Sequence, residues 1–219
     1  VKSASGNAES SRVARFGIWK GVFDTLGSNA TVVEDIEAVD ELTNYRTIVF
    51  INNGRLLSDR KRKSLEGFAT NGGTIVFLAD HTDLFGQVAP TNSLTKNFGI
   101  TLNDDSAIAI EPKHRWKRNI RLIGQPFGTL RPRHANVQYA IGASLTLRSP
   151  AIPLIIGRNS FMDKAGDDVK RARLGDLKQD SSEPNQSTIL AAYTRVGNGK
   201  IVVFGDTSNF QDLAFPNSW

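Results

Sequence analysis

The chain has 219 residues, 39% of them hydrophobic, and no cysteine. That length buries a full core, and the missing thiols exclude disulfides, zinc-thiolate centres and a cysteine nucleophile. Lys and Arg number 27 against 22 Asp and Glu, a formal charge of +5 with a pI near 9.6, which favours acidic surfaces in general without naming a partner.

Residues 1–11 (VKSASGNAESS) lack the charged and apolar regions of a signal peptide and read as a flexible polar tail. No apolar run reaches the roughly 18–20 residues that span a bilayer. The start at Val1 and the end at Trp219 read as those of a segment cut from a longer protein. Residues 12–219 then read as one domain. Val13, Phe16, Trp19 or Lys20, Phe23 and Leu26 recur at three- and four-residue steps and predict a helix from about Arg12 to Leu26, stopped by Gly27. A short strand at Ala30 to Val33 and a turn or short helix from Glu34 to Leu42 follow.

Thr47 to Ile51 (TIVFI) and Thr74 to Leu78 (TIVFL) are uncharged runs of the kind that form strands buried on both faces. Between them Ser58 is a good N-cap for a helix over Asp59 to Thr70, with Leu65, Phe68 and Ala69 inward and Arg60 to Lys63 as a basic outer run. Asn71-Gly72-Gly73 ends it. Strand, helix and strand in this spacing predict a right-handed parallel crossover. A further helix is expected from a cap at Thr91 or Asn92 to Phe98, with Gly99 at its end, and Ile100 to Leu102 is a short extended piece.

From about 105 to 150 the pattern turns to short alternating runs broken by Pro112, Pro126 and Pro132, a β-rich insertion. Ala151 to Ile156 is another strand candidate, and 157–187 reads as a long polar loop that could serve as a lid. Thr188 to Tyr193 and Lys200 to Phe204, joined across Asn198-Gly199, predict a C-terminal antiparallel hairpin.

Three of these strands end in polar side chains. Asn52, Asn53 and Arg55 follow the first, Asp80, His81, Thr82 and Asp83 the second, and Asp206, Thr207 and Asn209 the last. Open sheets of parallel strands bind ligands at such ends, so these ten residues form the candidate ligand site.

The succession YRTIVFINNGRLLSDRKRKSLEGFATNGGTIVFLADHTD, with GNGKIVVFGDTSNF much later, resembles the class I glutamine amidotransferase-like superfamily. The likeness is to its non-catalytic branches, found in gliding-motility-associated and uncharacterised membrane-anchored bacterial proteins. It covers about residues 30–98 and 188–210. It implies an α/β, flavodoxin-like three-layer sandwich with a mostly parallel sheet. It also implies a binding or scaffolding role within a membrane-anchored, extracytoplasmic envelope protein. The catalytic branch uses a cysteine, which this chain lacks, so amidotransferase activity is excluded.

The expected function is therefore a non-enzymatic ligand-binding or protein-interaction module at the strand-end pocket, without a cofactor, for a glycan, an anionic ligand or protein partners. The alternative is a divalent-metal-dependent hydrolase acting on a glycan, with Asp80, His81 and Asp206 as donors. Against both stands a plain structural reading, in which Asp80 and Asp206 accept N–H bonds from the turns that follow them. Gly205-Asp206-Thr207-Ser208 departs from the GDS signature of SGNH-type esterases at Thr207 and has no Asp-x-x-His after it. A basic cluster runs from Lys113 to His134 with Trp116 and Phe127 interleaved. It could bind anions, or pair with the acidic residues Asp163, Asp167, Asp168, Asp176 and Asp180. No nucleic-acid-binding motif accompanies it.

Overall fold

Alternation of apolar side chains builds the centre of the molecule. Ile48 and Phe50, Ile75 and Phe77, and Ile201 and Val203 sit at every second position of three strands and are all buried. The computed structural model describes residues 27, 29–110, 122–126, 137–139, 141–164 and 175–210, with no side-chain description for 122–126, 137–139 and 209. The three strands are β1 (Thr47–Ile51), β2 (Thr74–Leu78) and β10 (Gly199–Phe204). They run parallel, with Ile48 beside Ile75 and Ile201 beside Ile75 in register. Phe50 stacks on Phe77 with ring centroids 4.8 Å apart.

Helix α1 (Asp59–Thr70) connects β1 to β2 and covers this face with Leu65, Phe68 and Ala69. Ser58 caps it, its hydroxyl accepting the Lys61 N–H at 3.1 Å, and is itself gripped by Glu37 through its N–H at 2.7 Å and its hydroxyl at 2.9 Å. A cap of this kind contributes about 1 kcal/mol. The expected basic outer run is broken at Lys61. Its stem is buried and its ammonium donates to the Val39 carbonyl at 2.6 Å, since residues 36–44 pack along the helix. Gly73 turns the chain back so tightly that a Cβ there would lie 2.4 Å from the Phe68 ring.

After β2 comes helix α2 (Val88–Thr95), with a 3-10 turn (Lys96–Phe98) and Gly99 in the left-handed region closing it. Asp83, rather than Thr91 or Asn92, supplies the carboxylate that accepts the Val88 N–H, at 2.7 Å. Asn92 instead clamps both backbone groups of Leu102. Strand β3 (Ile100–Leu102) pairs antiparallel with β7 (Leu145–Leu147) as a two-stranded ribbon packed on β9 (Gln186–Val196). No strand forms at 30–33, where Val32 is 64% exposed.

The flavodoxin-like three-layer α/β sandwich with a mostly parallel sheet is not what the chain builds. The main sheet is mixed, with eight strands in the order β1-β2-β10-β9, then β8 (Ile152–Asp163), β5 (Leu122–Pro126) and β6 (Val137–Tyr139), and with β4 (Ser106–Ala109) also on β8. The parallel pairings among the described strands are β1 with β2 and β2 with β10, and the described residues contain two α-helices. The cause lies at Gly197-Asn198. This two-residue turn lays β9 antiparallel beside β10, so the sheet grows by direct antiparallel pairing and needs no helical crossover.

Strand β8 (Ile152–Asp163) then pairs β9 along one edge, and it extends into the stretch that read as polar loop. Its other edge carries β5 (Leu122–Pro126) at Ile155 to Gly157 and β4 (Ser106–Ala109) at Ser160 to Asp163, with β6 (Val137–Tyr139) outside β5. A second core around Phe161, Leu190, Ile108 and Ile155 holds this half. No helix among the described residues is long and apolar enough to cross a membrane. The expected helix at 12–26 and the tail at 1–11 lie outside the described residues.

Candidate functional site

The ends of β1, β2 and β10 lie side by side, as the register of the three strands requires. At the end of β1, Asn52 adopts φ 46°, a left-handed conformation Asn tolerates better than most residues, and its N–H donates to the Leu78 carbonyl at 2.9 Å. Its side-chain amide donates to the Thr207 hydroxyl at 3.4 Å. That hydroxyl donates in turn to Asp80 Oδ2 at 3.3 Å. Asp80 Oδ1 accepts the His81 N–H at 2.9 Å and lies 3.4 Å from His81 Nε2. His81 Nδ1 is 2.8 Å from the Thr82 hydroxyl. Asp206 Oδ1 accepts the Ser208 N–H at 2.8 Å.

Four of the ten candidate residues, Asn52, Asp80, Asp206 and Thr207, are thus buried in one polar knot, each under 9% exposed. Asn53, His81, Thr82 and Asp83 are half-buried around it, and Arg55 is exposed. Asn53 and Arg55 are joined in an Asx turn, Asn53 Oδ1 accepting the Arg55 N–H at 3.3 Å. Asn209 lies in the 3-10 turn Ser208–Phe210, and its side chain is outside the described residues.

Segment 141–145 packs against the end of β10 beside the knot. Ala143 donates its N–H to the Gly205 carbonyl at 2.8 Å, and a Cβ on Gly142 would lie 2.9 Å from the Asp206 Cβ. Burial therefore sets the electrostatics. It raises the Asp80 carboxyl above its ordinary value, against the opposing charge of His81. It raises Asp206 far more, with the charge of Asp80 adding to the effect. Asp206 Oδ2 and Asn52 Oδ1 have no hydrogen-bond partner among the described residues, nor do both polar atoms of the fully buried Gln87 side chain.

The loops that frame the knot are strained. Thr82, Asp83 and Phe85 have φ of 42°, 46° and 72°, a run that costs roughly 1–2 kcal/mol per residue. The Thr82 N–H donating to the Asp105 carbonyl at 2.9 Å helps to hold it. The β1 and β2 loops abut, since a Cβ on Gly54 would lie 2.2 Å from the Phe85 carbonyl oxygen. Beside that contact Leu56 is 65% and Phe85 42% exposed.

A separate cleft of about 640 Å³ opens between the β3–β7 ribbon and the adjoining ends of β8 and β9. Sequence reasoning missed it. The usable signal was Asn103-Asp104-Asp105, three polar residues set between two short apolar strands. Asp105 is fixed by the Ser144 N–H at 2.7 Å and hydroxyl at 2.6 Å, and burial raises its carboxyl, as it does that of Asp104, where Asp83 adds to the effect. Among the described residues no group of three His, Asp or Glu could hold a metal ion. Of the basic cluster from Lys113 to His134, only the backbone of 122–126 is described, as β5. Asp167 and Asp168 also lie outside the described residues.

No protein-family model matches the sequence, and no curated protein does. Among solved structures, the chain is similar to the N-terminal domain of mmIFT52, with a TM-score of 0.63 and 16% identity over 91% of this chain and 83% of that one. A β-galactosidase from Bacillus circulans sp. alkalophilus matches at TM-score 0.45 and 16% identity, covering 82% of this chain and 22% of the enzyme. The exo-β-1,4-mannosidase Op5Man5 from Opitutaceae bacterium strain TAV5 matches at 0.46 and 12%, covering 90% and 26%. The first likeness is one of fold alone, and the two glycosidase matches say nothing about this chain.

Proposed function

We propose that this chain is a non-enzymatic interaction module that receives a protein partner on the rim around the strand ends. The observation that carries the reading is the burial of the polar knot: the Asn52 amide N–H, the Thr207 hydroxyl, both Asp80 oxygens and Asp206 Oδ1 bond to one another or to adjacent turns, and the two oxygens left over, Asn52 Oδ1 and Asp206 Oδ2, are shut off from solvent. Groups so engaged hold loops in place. The surface left for contact is the rim, where Leu56 and Phe85 expose apolar area beside Arg55. Phenylalanine and arginine are among the residue types enriched at protein interfaces. The lack of cysteine supports the same reading by removing the amidotransferase nucleophile.

A second reading, a divalent-metal hydrolase at the same strand ends, draws on one specific observation, the 3.4 Å approach of His81 Nε2 to Asp80 Oδ1. Two measurements separate them. A photo-cross-linking residue at Leu56 is expected to capture a defined partner that the same residue at Lys63, exposed on α1, does not. Identical capture from both positions would overturn the interaction reading. Calorimetric titration with Mg²⁺, Mn²⁺ and Zn²⁺ is expected to give no stoichiometric heat that Asp80→Asn abolishes. Such heat would favour the hydrolase.

A further inference from the structure

We propose that the cleft between the β3–β7 ribbon and the β8–β9 ends binds a neutral, hydroxyl-rich ligand, a mono- or disaccharide. The proposal does not rest on the reading of the rim. Its volume of about 640 Å³ lies within the range of small-molecule sites.

The walls are preorganised. Asn103 Nδ2 donates to the Ser144 hydroxyl at 2.8 Å and to the Thr146 hydroxyl at 3.0 Å, and Gln186 Nε2 donates to the Met162 sulfur at 3.4 Å. Ser144 is in turn held by both oxygens of Asp105. These internal bonds leave a second set of groups for a ligand. Asp104, Lys164 and Ser187 line the cleft and are exposed, with Lys164 close enough to Asp105 for its charge to favour the ionised carboxylate.

Their chemistry selects the ligand class. Asp104 only accepts hydrogen bonds, Lys164 only donates, and Ser187 does both, as does a sugar hydroxyl. Leu145, Met162 and Ile189 add apolar surface for the C–H face of a pyranose. Charge argues against an anion: among the described lining residues two carboxylates, Asp104 and Asp105, face one ammonium, Lys164. A cleft with no aromatic platform among its described lining residues fits weak binding, in the range of about 1 mM.

The test is NMR titration of the whole chain with glucose, galactose, mannose, lactose and cellobiose, and with glucuronate as the anionic counterpart, each to about 20 mM. At least one neutral sugar is expected to shift the amides of Asn103, Thr146 and Ser187 saturably, and to bind more tightly than glucuronate. Lys164→Ala and Ser187→Ala, both at exposed positions, are expected to weaken it by roughly fivefold to tenfold, in line with one lost hydrogen bond each. Arg55→Ala on the rim is expected to leave it unchanged. No saturable shift with any neutral sugar, tighter binding of glucuronate, shifts confined to residues outside the cleft, or unaltered binding in both cleft variants would each overturn the proposal.

Discussion

The Thr207 hydroxyl donates to Asp80 Oδ2 at 3.3 Å while accepting from the Asn52 amide at 3.4 Å, so one side chain ties the ends of all three parallel strands together. Replacing it by valine keeps the shape and removes both bonds, leaving a buried carboxylate oxygen and a buried amide unpaired. Thr207→Val is expected to cost about 2–4 kcal/mol in urea unfolding, and Thr207→Ser to recover most of it. A valine variant as stable as the parent would mean that the knot contributes nothing.

Asp206 is wholly buried, and burial with the nearby Asp80 charge pushes its carboxyl well above the ordinary value. The sign follows from linkage. A carboxyl that binds its proton more tightly in the fold than in the unfolded chain adds stability at low pH, and that stability is lost as pH rises from the unfolded value upward. Asp206→Asn mimics the protonated form and retains an acceptor for the Ser208 N–H. The Tm of the parent is expected to fall more steeply than that of the variant as pH rises above the ordinary carboxylate value of 3.8. Parallel profiles would refute this.

The packing of segment 141–145 on the end of β10 depends on Gly205. A Cβ there would lie 2.0 Å from the Ala143 carbonyl oxygen, and backbone on both sides leaves no flexible group to yield. Gly205→Ala is expected to destabilise by about 2 kcal/mol or more and to detach segment 141–145. Hydrogen exchange at the Ala143 and Ser144 amides reads this directly, and unchanged protection there would contradict it.

At the end of β8, burial lifts Asp163 from 3.8 to about 6, the Leu177 N–H opposing and Glu183 and Asp176 adding to the rise. Its contribution to stability is therefore present below 3.8 and lost as pH rises through about 6. Carbon NMR of the Asp163 carboxyl is expected to titrate near that value, and Asp163→Asn to remove the corresponding pH slope. Gly175 belongs to the same arrangement, because a Cβ on it would fall 2.0 Å from the Asp163 carboxylate. An Asp163 titration near the ordinary carboxylate value would show that the carboxyl is more solvated than its burial implies.

What the sequence determined by itself is local. Strands β1 and β2 have the bounds their uncharged runs predict, and α1 begins after Ser58 and ends at Asn71 because capping and chain reversal depend on neighbours a few residues apart. The acceptance of following N–H groups by Asp80 and Asp206 is local in the same way. The tertiary structure decided the rest. The antiparallel β9–β10 hairpin was legible in its turn, but the pairing of β8 with β9, the insertion of β10 beside β2, and the burial of Lys61 against Val39 rest on partners distant in the chain, and similar local patterns suit parallel and antiparallel sheets alike. The strand-end residues read as an open crevice because nothing in their own sequence reveals that segment 141–145 would pack beside them. The cleft beside Asp104 exists only where the β3–β7 ribbon meets β8 and β9, which no single stretch of the chain encodes.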